Sequence, residues 1–205
     1  MSIGDRFFAM YYDRFMARTE KAGLRERRTM LLGRAHGDVL EIGAGTGANL
    51  ALYPTTIASL TVTEPDAAMM RKLQKRLGDR DVMALRAPAE DLPFDDDTFD
   101  TVVSTLTLCT VDDQPRALRE IHRVLRARGQ LLFIEHVRAE DEKLARKQDR
   151  MNGINRIVAH GCNCNRPTLD GVRSAGFTIG HVEHGSLEKA PSFVRPLVVG
   201  LAEVA

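Results

Sequence analysis

Short apolar runs rich in β-branched residues alternate with amphipathic stretches between residues 38 and 135. Such alternation is typical of βαβ units, in which helices cover both faces of a parallel sheet. The pattern predicts strands at residues 39–42, 59–63, 82–86, 101–104 and 130–134. Because crossovers between parallel strands place their helices on the two faces of the sheet, we expect a doubly wound, Rossmann-like α/β fold.

Helical spacing of apolar residues appears within this region and on either side of it. Residues 115–127 have it, preceded by Asp112 and Asp113 as candidate N-caps, and so do residues 167–175. Residues 1–34 carry the same spacing and are expected to form an N-terminal helical lid.

The last two predicted strands, at residues 177–183 and 193–204, are separated by only nine residues. A parallel crossover needs about a dozen residues or more, so the final strand is expected to run antiparallel to its predecessor. The sequence therefore predicts a seven-stranded sheet, mostly parallel with an antiparallel last strand, in a single domain spanning residues 1–205.

Composition narrows the class of protein. The chain has 205 residues, 43% hydrophobic and 28% charged, as is typical of one globular domain. Its 29 basic and 28 acidic residues leave a net charge of +1, which argues against a nucleic-acid partner. No segment approaches the roughly 20 apolar residues of a membrane span, and no signal peptide is recognisable. We expect a cytoplasmic protein without an integral membrane segment.

The three cysteines, Cys109, Cys162 and Cys164, are too few for a disulfide framework and fit a reducing compartment. The C-x-C spacing of Cys162 and Cys164 differs from the C-x-x-C spacing of zinc modules. We therefore expect free thiols and no metal site.

The most informative segment is a strand that ends in Gly43, Gly45 and Gly47 and is expected to continue into a helix. Glycine permits close approach of a ligand to the backbone and dihedral angles forbidden to other residues. With Ala48, the loop satisfies the G-x-G-x-x-G/A dinucleotide fingerprint, so a nicotinamide enzyme is one interpretation. Glu64, at the end of the second strand, stands where a carboxylate accepts the hydroxyl groups of an adenosine ribose.

Other features argue against a nicotinamide enzyme. None of the tyrosines Tyr11, Tyr12 and Tyr53 has a lysine four residues later, so the acid–base pair common in short-chain reductases is missing. Glu41 also lies two residues before the first glycine, and the sheet is expected to finish with an antiparallel strand.

Together these features resemble the class I S-adenosylmethionine-dependent methyltransferases. The general similarity lies in three blocks. Residues 41–47 resemble the first motif of that family, and residues 89–95 with Phe99 and Asp100 resemble its adenine-side segment. The third block is residues 118–125. A closer similarity, to the alkyl-thiol S-methyltransferase (methyltransferase-like) family, lies in residues 45–54, 104–111, 135–137, 161–166 and 195–200. Phospholipid N-methyltransferases and quinone-ring methyltransferases share the general blocks and match the last ones less well.

The resemblance implies S-adenosylmethionine as the cofactor. The implied cofactor-binding residues are Glu41, Gly43, Ala44, Gly45, Gly47, Glu64, Pro65, Met69, Ala89, Glu90, Thr105 and Leu106. Glu41 would help anchor the amino end of the methionine portion, Glu64 would bind the ribose hydroxyls, and Pro65 and Met69 would pack on the adenine. Thr105 and Leu106 would border the sulfonium.

One position departs from the family pattern. Pro88 stands where related enzymes often place an aspartate, so Glu90 or the backbone near Ala89 would contact the adenine amino group.

Candidate residues on the acceptor side are fewer. His136 follows the fifth predicted strand and is a candidate catalytic base. Tyr12 is a second catalytic candidate, within a lid that also carries Tyr11 and Asp13. Residues 136–166 are expected to bind the acceptor, since this fold places its acceptor-binding variation there.

The leading hypothesis is S-methylation of a small, apolar thiol by in-line displacement. A thiol has a pKa of about 8.5, so it needs no dedicated base. Two alternatives remain open. One is N- or O-methylation of a phospholipid head group, a quinone or a secondary metabolite, and the other is a non-catalytic module that binds S-adenosylmethionine.

Overall fold

The computed structural model describes residues 11–14 and 16–204, so residues 1–10 and 15 of the predicted lid lie outside the described residues. Residues 11–14 and 16–19 are helical. They lead through a π-helical turn at Glu20–Leu24 into helix α1 at Arg25–Leu32. Gly23 in that turn has a φ of 122°, which kinks the helical segment.

Among the described residues, seven strands form one sheet in the order β3-β2-β1-β4-β5-β7-β6. Their bounds are Asp38–Ile42 (β1), Ser59–Thr63 (β2), Met83–Leu85 (β3), Phe99–Thr105 (β4), Leu125–His136 (β5), Phe177–Ser186 (β6) and Pro196–Val204 (β7). Strands β1 to β5 pair in parallel, whereas β7 pairs antiparallel with both β5 and β6. The predicted mostly parallel, seven-stranded sheet with an antiparallel last strand is confirmed.

Four further helices in the described part of the chain connect the strands: α2 (Ala67–Leu77), α3 (Gln114–Val124), α4 (Glu142–Val158) and α5 (Thr168–Ser174). An aspartate caps the N-terminus of three of them, because its side chain accepts hydrogen bonds from the first free backbone N–H groups. These caps are Asp66 on α2, Asp113 on α3 and Asp141 on α4. Of the two candidate N-caps, Asp112 and Asp113, it is therefore Asp113 that caps α3.

The prediction of a helix directly after the glycine loop is wrong. Residues 45–52 form consecutive turns, in which the Gly47 amide donates to the Ala44 carbonyl at 2.8 Å and the Leu52 amide donates to the Asn49 carbonyl at 2.8 Å. The left-handed backbone of Gly45 and Gly47, with φ of 58° and 84°, prevents an α-helix from starting there.

Several other boundaries differ from the prediction, and two of the differences have a local cause. Helix α3 ends at Val124 rather than at residue 127, because Leu125 is extended and begins β5. Strand β7 begins at Pro196 rather than at residue 193, because the preceding residues turn, with the Val194 amide donating to the Pro191 carbonyl at 2.9 Å.

Alternate strand residues face two buried layers, so the sheet is covered on both sides. Leu40 and Phe133 face a cluster completed by α3 and α5, and Val39 and Leu132 face a cluster completed by α1 and α2. The carboxyl ends of β1, β2, β4 and β5 meet at one edge of the sheet, where α/β folds place their ligands.

Candidate functional site

The glycine loop lies at this edge, directly after β1. A Cβ atom on Gly43 would collide with the side chain of Thr107, so packing requires glycine there. Gly47 has a φ of 84°, a backbone conformation that favours glycine. Gly45 instead faces open space with a φ of 58°. Its backbone is therefore accessible to a ligand. Ala44 is buried, and its amide donates to the Thr63 carbonyl at 2.9 Å.

Glu64 follows β2 and faces this loop. Its carboxylate accepts hydrogen bonds from the Gly45 amide and from the Asp66 amide, each at 2.8 Å. The side chain is buried, and burial raises the pKa of Glu64, while the two amides oppose that rise. Two bonds leave lone pairs of the carboxylate open to a hydroxyl donor.

Two predicted adenine-side residues continue from Glu64. Pro65 is exposed, and its carbonyl accepts from Nη2 of Arg86 at 3.1 Å. Met69 is buried near the start of α2 and packs in one cluster with Ala68 and Tyr12. The structure thus brings Tyr12 to the first turn of α2.

A buried polar network lies beneath the glycine loop and contains Glu41. The Glu41 carboxylate accepts from Nδ2 of Asn49 at 2.9 Å and from the hydroxyl of Tyr53 at 2.7 Å. Nη1 of Arg28 donates to Oδ1 of Asn49 at 2.9 Å and to Oγ1 of Thr105 at 2.8 Å. Burial raises the pKa of Glu41 to about 7 despite these donors. The network connects α1, the loop and the end of β4.

Buried acids outnumber buried bases at this edge. Among the lysines and arginines that the structure describes, Arg28 alone is buried, whereas Glu41, Glu64 and Glu135 are all buried. Buried charges need partners of opposite sign. The site therefore suits a ligand that carries positive charge, which is a property of S-adenosylmethionine.

Thr105 is the last residue of β4, and Leu106 begins the loop that follows. Leu106 has a φ of 59°, rare for a non-glycine residue, and its amide donates to the Ile134 carbonyl at 2.7 Å. Glu135 holds the rest of this loop, since its carboxylate accepts from the amides of Thr107, Leu108 and Cys109 at 3.0 Å each. These hydrogen bonds fix the loop, so the position of the backbone around Leu106 does not depend on a bound ligand.

Arg166 supports the same loop through the loop's carbonyl groups. Its guanidinium donates to the carbonyls of Leu108, at 2.6 Å, and Val111, at 2.5 Å. Asp170, four residues after Arg166, pairs instead with Arg173 at 3.1 Å.

Ala89 and Glu90 lie between β3 and β4, and Glu90 has structural partners. Ala89 is buried in the core. Oε1 of Glu90 accepts from the amides of Asp112 and Asp113, at 2.8 and 3.2 Å, just before α3. Glu90 thus fixes the loop that leads into that helix.

The two catalytic candidates occupy different surroundings. Burial raises the pKa of Tyr12 to about 12, and the charges of Arg28, Glu20 and Glu64 act on its hydroxyl group. His136 is the buried last residue of β5, and burial lowers its pKa to about 4, although the carbonyls of Val194 and Pro196 favour its protonated form. Its Nδ1 has no partner among the described residues.

The N-terminal helical segment is attached to the glycine loop through Asp13. The hydroxyl of Thr46 donates to Oδ1 of Asp13 at 2.5 Å, while Arg76 and Lys72 of α2 lie 3.1 and 3.5 Å from Oδ2. Tyr11, two residues earlier, is 55% exposed.

The predicted acceptor-side segment packs against the loop after β4. The Asn163 amide donates to the Cys109 carbonyl at 2.7 Å, and the sulfur atoms of Cys162 and Cys109 lie 3.8 Å apart. Cys109, Cys162 and Cys164 are buried free thiols. The described residues contain no cluster of metal-ligating side chains and no helix with the length and apolar character needed to span a bilayer.

The structure therefore brings most predicted donor-side residues to one edge and adds others that the sequence did not single out. The added residues are Arg28, Asn49, Tyr53, Thr46 and Glu135. A sequence signal existed for four of them, because Thr46, Asn49 and Tyr53 lie in the block at residues 45–54 and Glu135 lies in the block at residues 135–137, and both blocks resemble the thiol methyltransferases. Arg28 lies in no such block.

Comparison with known proteins identifies the family. Residues 40–133 match the family described as methyltransferase domain. The chain is 32% identical over 170 residues to the thiol S-methyltransferase TMT1A of Homo sapiens, covering 80% of this chain and 69% of that protein. It is 32% identical over 124 residues to the phosphatidylethanolamine N-methyltransferase of Cereibacter sphaeroides, covering 59% of this chain and 61% of that protein.

A solved structure agrees in fold. The S-adenosylmethionine-dependent methyltransferase from Thermotoga maritima described as a possible histamine N-methyltransferase matches with a TM-score of 0.73 at 24% identity, covering 98% of each chain. The similarity to TMT1A extends over most of both sequences. The chain therefore belongs to the class I S-adenosylmethionine-dependent methyltransferases, in the family that includes TMT1A.

Proposed function

We propose that this methyltransferase transfers the methyl group of S-adenosylmethionine to the sulfur of a small, apolar thiol. The observation that carries the proposal is the 32% identity to a thiol S-methyltransferase over 80% of the chain. The acid–base state of the residues at the site supports it independently.

On the donor side, we assign the ribose hydroxyls to the free lone pairs of Glu64, beside the open backbone of Gly45. Glu41 stabilises the positive charge of the methionine portion through its position under the loop, and Gly43, Ala44 and Gly47 give the loop its shape. The bound cofactor supplies a methyl group on a positively charged sulfur, which is already activated for displacement.

The other donor-side assignments follow from the same edge. Thr105 and Leu106 form the wall next to the transferred methyl group, with the Leu106 backbone held by β5. Pro65 and Met69 lie on the adenine side. We assign the adenine amino contact to the backbone near Ala89, because the amides of the loop before α3 already engage one oxygen of Glu90.

On the acceptor side, neither catalytic candidate is tuned as a base at neutral pH. A pKa of about 4 leaves His136 neutral with little affinity for a proton, and a pKa of about 12 keeps the Tyr12 hydroxyl protonated. A thiol with a pKa of about 8.5 supplies a few per cent thiolate by itself. An alkylammonium acceptor must first lose a proton, so this site favours sulfur over nitrogen.

Catalysis then depends mainly on alignment, which supplies on the order of 7 to 11 kcal/mol of barrier reduction. We propose that residues 1–34 close over the donor as a lid, with Tyr12 packed on Met69, and that residues 136–166 select the acceptor. We assign His136 a positioning role beside the segment that enters β7, rather than proton removal.

A second candidate is N-methylation of a phospholipid head group. It is favoured by the 32% identity to a phosphatidylethanolamine N-methyltransferase, over a shorter part of the chain.

Turnover of matched acceptors separates the two candidates. An alkane thiol, the amine and the phenol of similar size, and a phosphatidylethanolamine are each assayed with methyl-labelled S-adenosylmethionine. We expect kcat/KM for the thiol to exceed that for the amine at least about tenfold, because only the thiol ionises unaided near neutral pH. Turnover of amines, phenols or lipid alone overturns the thiol assignment, and saturable cofactor binding without any turnover supports a non-catalytic module instead.

A further inference from the structure

The carboxyl-terminal turns of α4 expose a group of apolar side chains. Ile154, Ile157 and Val158 are 59%, 81% and 68% exposed. Removing one such side chain from water is favourable by roughly 1.5 to 3 kcal/mol, so three of them at one end of a helix indicate a surface that binds a partner.

The same helix presents a row of cations on its outward side. The exposed residues spaced three or four apart along this side are Lys143, Arg146, Lys147, Arg150, Ile154 and Ile157. Residues at these intervals share one face of a helix. The opposite face is buried through Ala145, Gln148 and Asn155.

The acids of α4 cancel only part of this charge. Glu142 pairs with Arg146 at 3.0 Å, and the Asp149 carboxylate pairs with Arg138, which lies before the helix. Lys143, Lys147 and Arg150 therefore leave a positive surface next to the apolar end.

We propose that the outward face of α4 docks on an anionic lipid surface. Basic residues bind anionic head groups while apolar side chains enter the acyl boundary, which is how amphipathic helices bind membranes. The apolar end selects lipid over nucleic acid, because isoleucine and valine have no aromatic face on which bases stack.

The inner face of α4 links this surface to the acceptor side of the site. Nδ2 of Asn155 donates to the Cys162 carbonyl at 2.8 Å, and the Asn163 amide donates to the Cys109 carbonyl at 2.7 Å. When α4 is docked, the segment that we propose selects the acceptor, residues 136–166, lies next to the membrane. An apolar acceptor dissolves in that membrane. The docking itself does not depend on which atom is methylated.

Vesicle sedimentation of the full chain tests the proposal without an activity assay. We expect the protein to sediment with phosphatidylcholine vesicles that contain about a third phosphatidylserine and not with pure phosphatidylcholine. The double variant Lys143→Glu/Arg150→Glu is expected to lower the partition coefficient at least about 30-fold, and Ile154→Ser/Ile157→Ser at least about tenfold.

Matched controls carry the same changes elsewhere. Lys75→Glu/Arg119→Glu alters two exposed cations on α2 and α3, and Met83→Ser alters a 59% exposed apolar side chain on β3. Neither control is expected to change partitioning, and thermal unfolding checks that every variant is folded. The proposal is overturned by a wild type that ignores anionic vesicles, by controls that lose binding equally, or by RNA binding in the absence of vesicle binding.

Discussion

Asp13 accepts a hydrogen bond from the hydroxyl of Thr46 at 2.5 Å, which joins the N-terminal helical segment to the glycine loop. The same carboxylate lies 3.1 Å from Arg76 and 3.5 Å from Lys72 on α2. One side chain thus connects the proposed lid to both elements that flank the proposed cofactor site.

Asp13→Asn is expected to weaken binding of S-adenosylhomocysteine about two- to fivefold. The Asp13 side chain is 39% exposed, and exposed ion pairs contribute only about 0.2 to 1 kcal/mol each. Isothermal titration measures the change. Asp170→Asn removes a comparable exposed ion pair with Arg173 and is expected to leave the affinity unchanged. Equal affinities for wild type and both variants would show that Asp13 does not hold the lid.

Glu64→Gln is expected to weaken binding of S-adenosylhomocysteine about 10- to 100-fold. A hydrogen bond to a charged group contributes about 1.5 to 3 kcal/mol, and the amide keeps the shape of the side chain. The measurement is a titration of folded protein, with Glu183→Gln on the exposed face of β6 as the matched control. An affinity for Glu64→Gln equal to that of wild type removes the ribose assignment.

Glu41 is expected to make stability fall as pH rises. Its folded pKa of about 7 lies above the ordinary value of 4.5, so the folded protein retains a proton that the unfolded chain loses. Its contribution to stability is complete below about pH 4.5 and is lost as the pH rises through about 7. Between about pH 5 and about pH 8, the free energy of unfolding should therefore fall about 2 to 3 kcal/mol more in wild type than in Glu41→Gln.

Urea unfolding of both proteins at the two pH values measures this difference. The other buried acids, Glu64 and Glu135, are unchanged in Glu41→Gln. Comparison of the two proteins therefore removes their contribution to the pH dependence of stability. Parallel pH dependences for wild type and variant contradict the raised pKa of Glu41.

His136→Gln is expected to retain turnover within about threefold at neutral pH. The ring is neutral there because burial lowers the pKa of His136 to about 4, so removal of the ring removes no base. The measurement is kcat at saturating cofactor and thiol, with S-adenosylhomocysteine affinity measured in parallel. A loss of a hundredfold or more in kcat at unchanged affinity would make His136 the base after all.

The fold was predictable because its signals are local. The run at residues 59–63 coincides with β2, and Asp113 was recognisable as a cap from its place before a periodic helix. Glu64 was also recognisable from a local signal, because it is the residue directly after β2.

The buried network was not predictable, because its partners are distant in sequence. Arg28 lies in a charged helix, where an arginine is normally solvated, yet its partners Asn49 and Thr105 are 21 and 77 residues away. The turns after Gly47 were missed because a glycine-rich loop usually opens a helix, whereas here the left-handed backbone and the buried Asn49 side chain hold it in turns.

The position of the transferred methyl group tests the central claim most directly. The acceptor is an alkane chain that carries a thiol at one end and an amine at the other, and the donor is S-adenosylmethionine with a carbon-13 methyl group. We predict a methyl signal on sulfur, formed in equal amount with S-adenosylhomocysteine, while the amine stays unmodified. A label on nitrogen, or no labelled product from protein that binds the cofactor, contradicts the account.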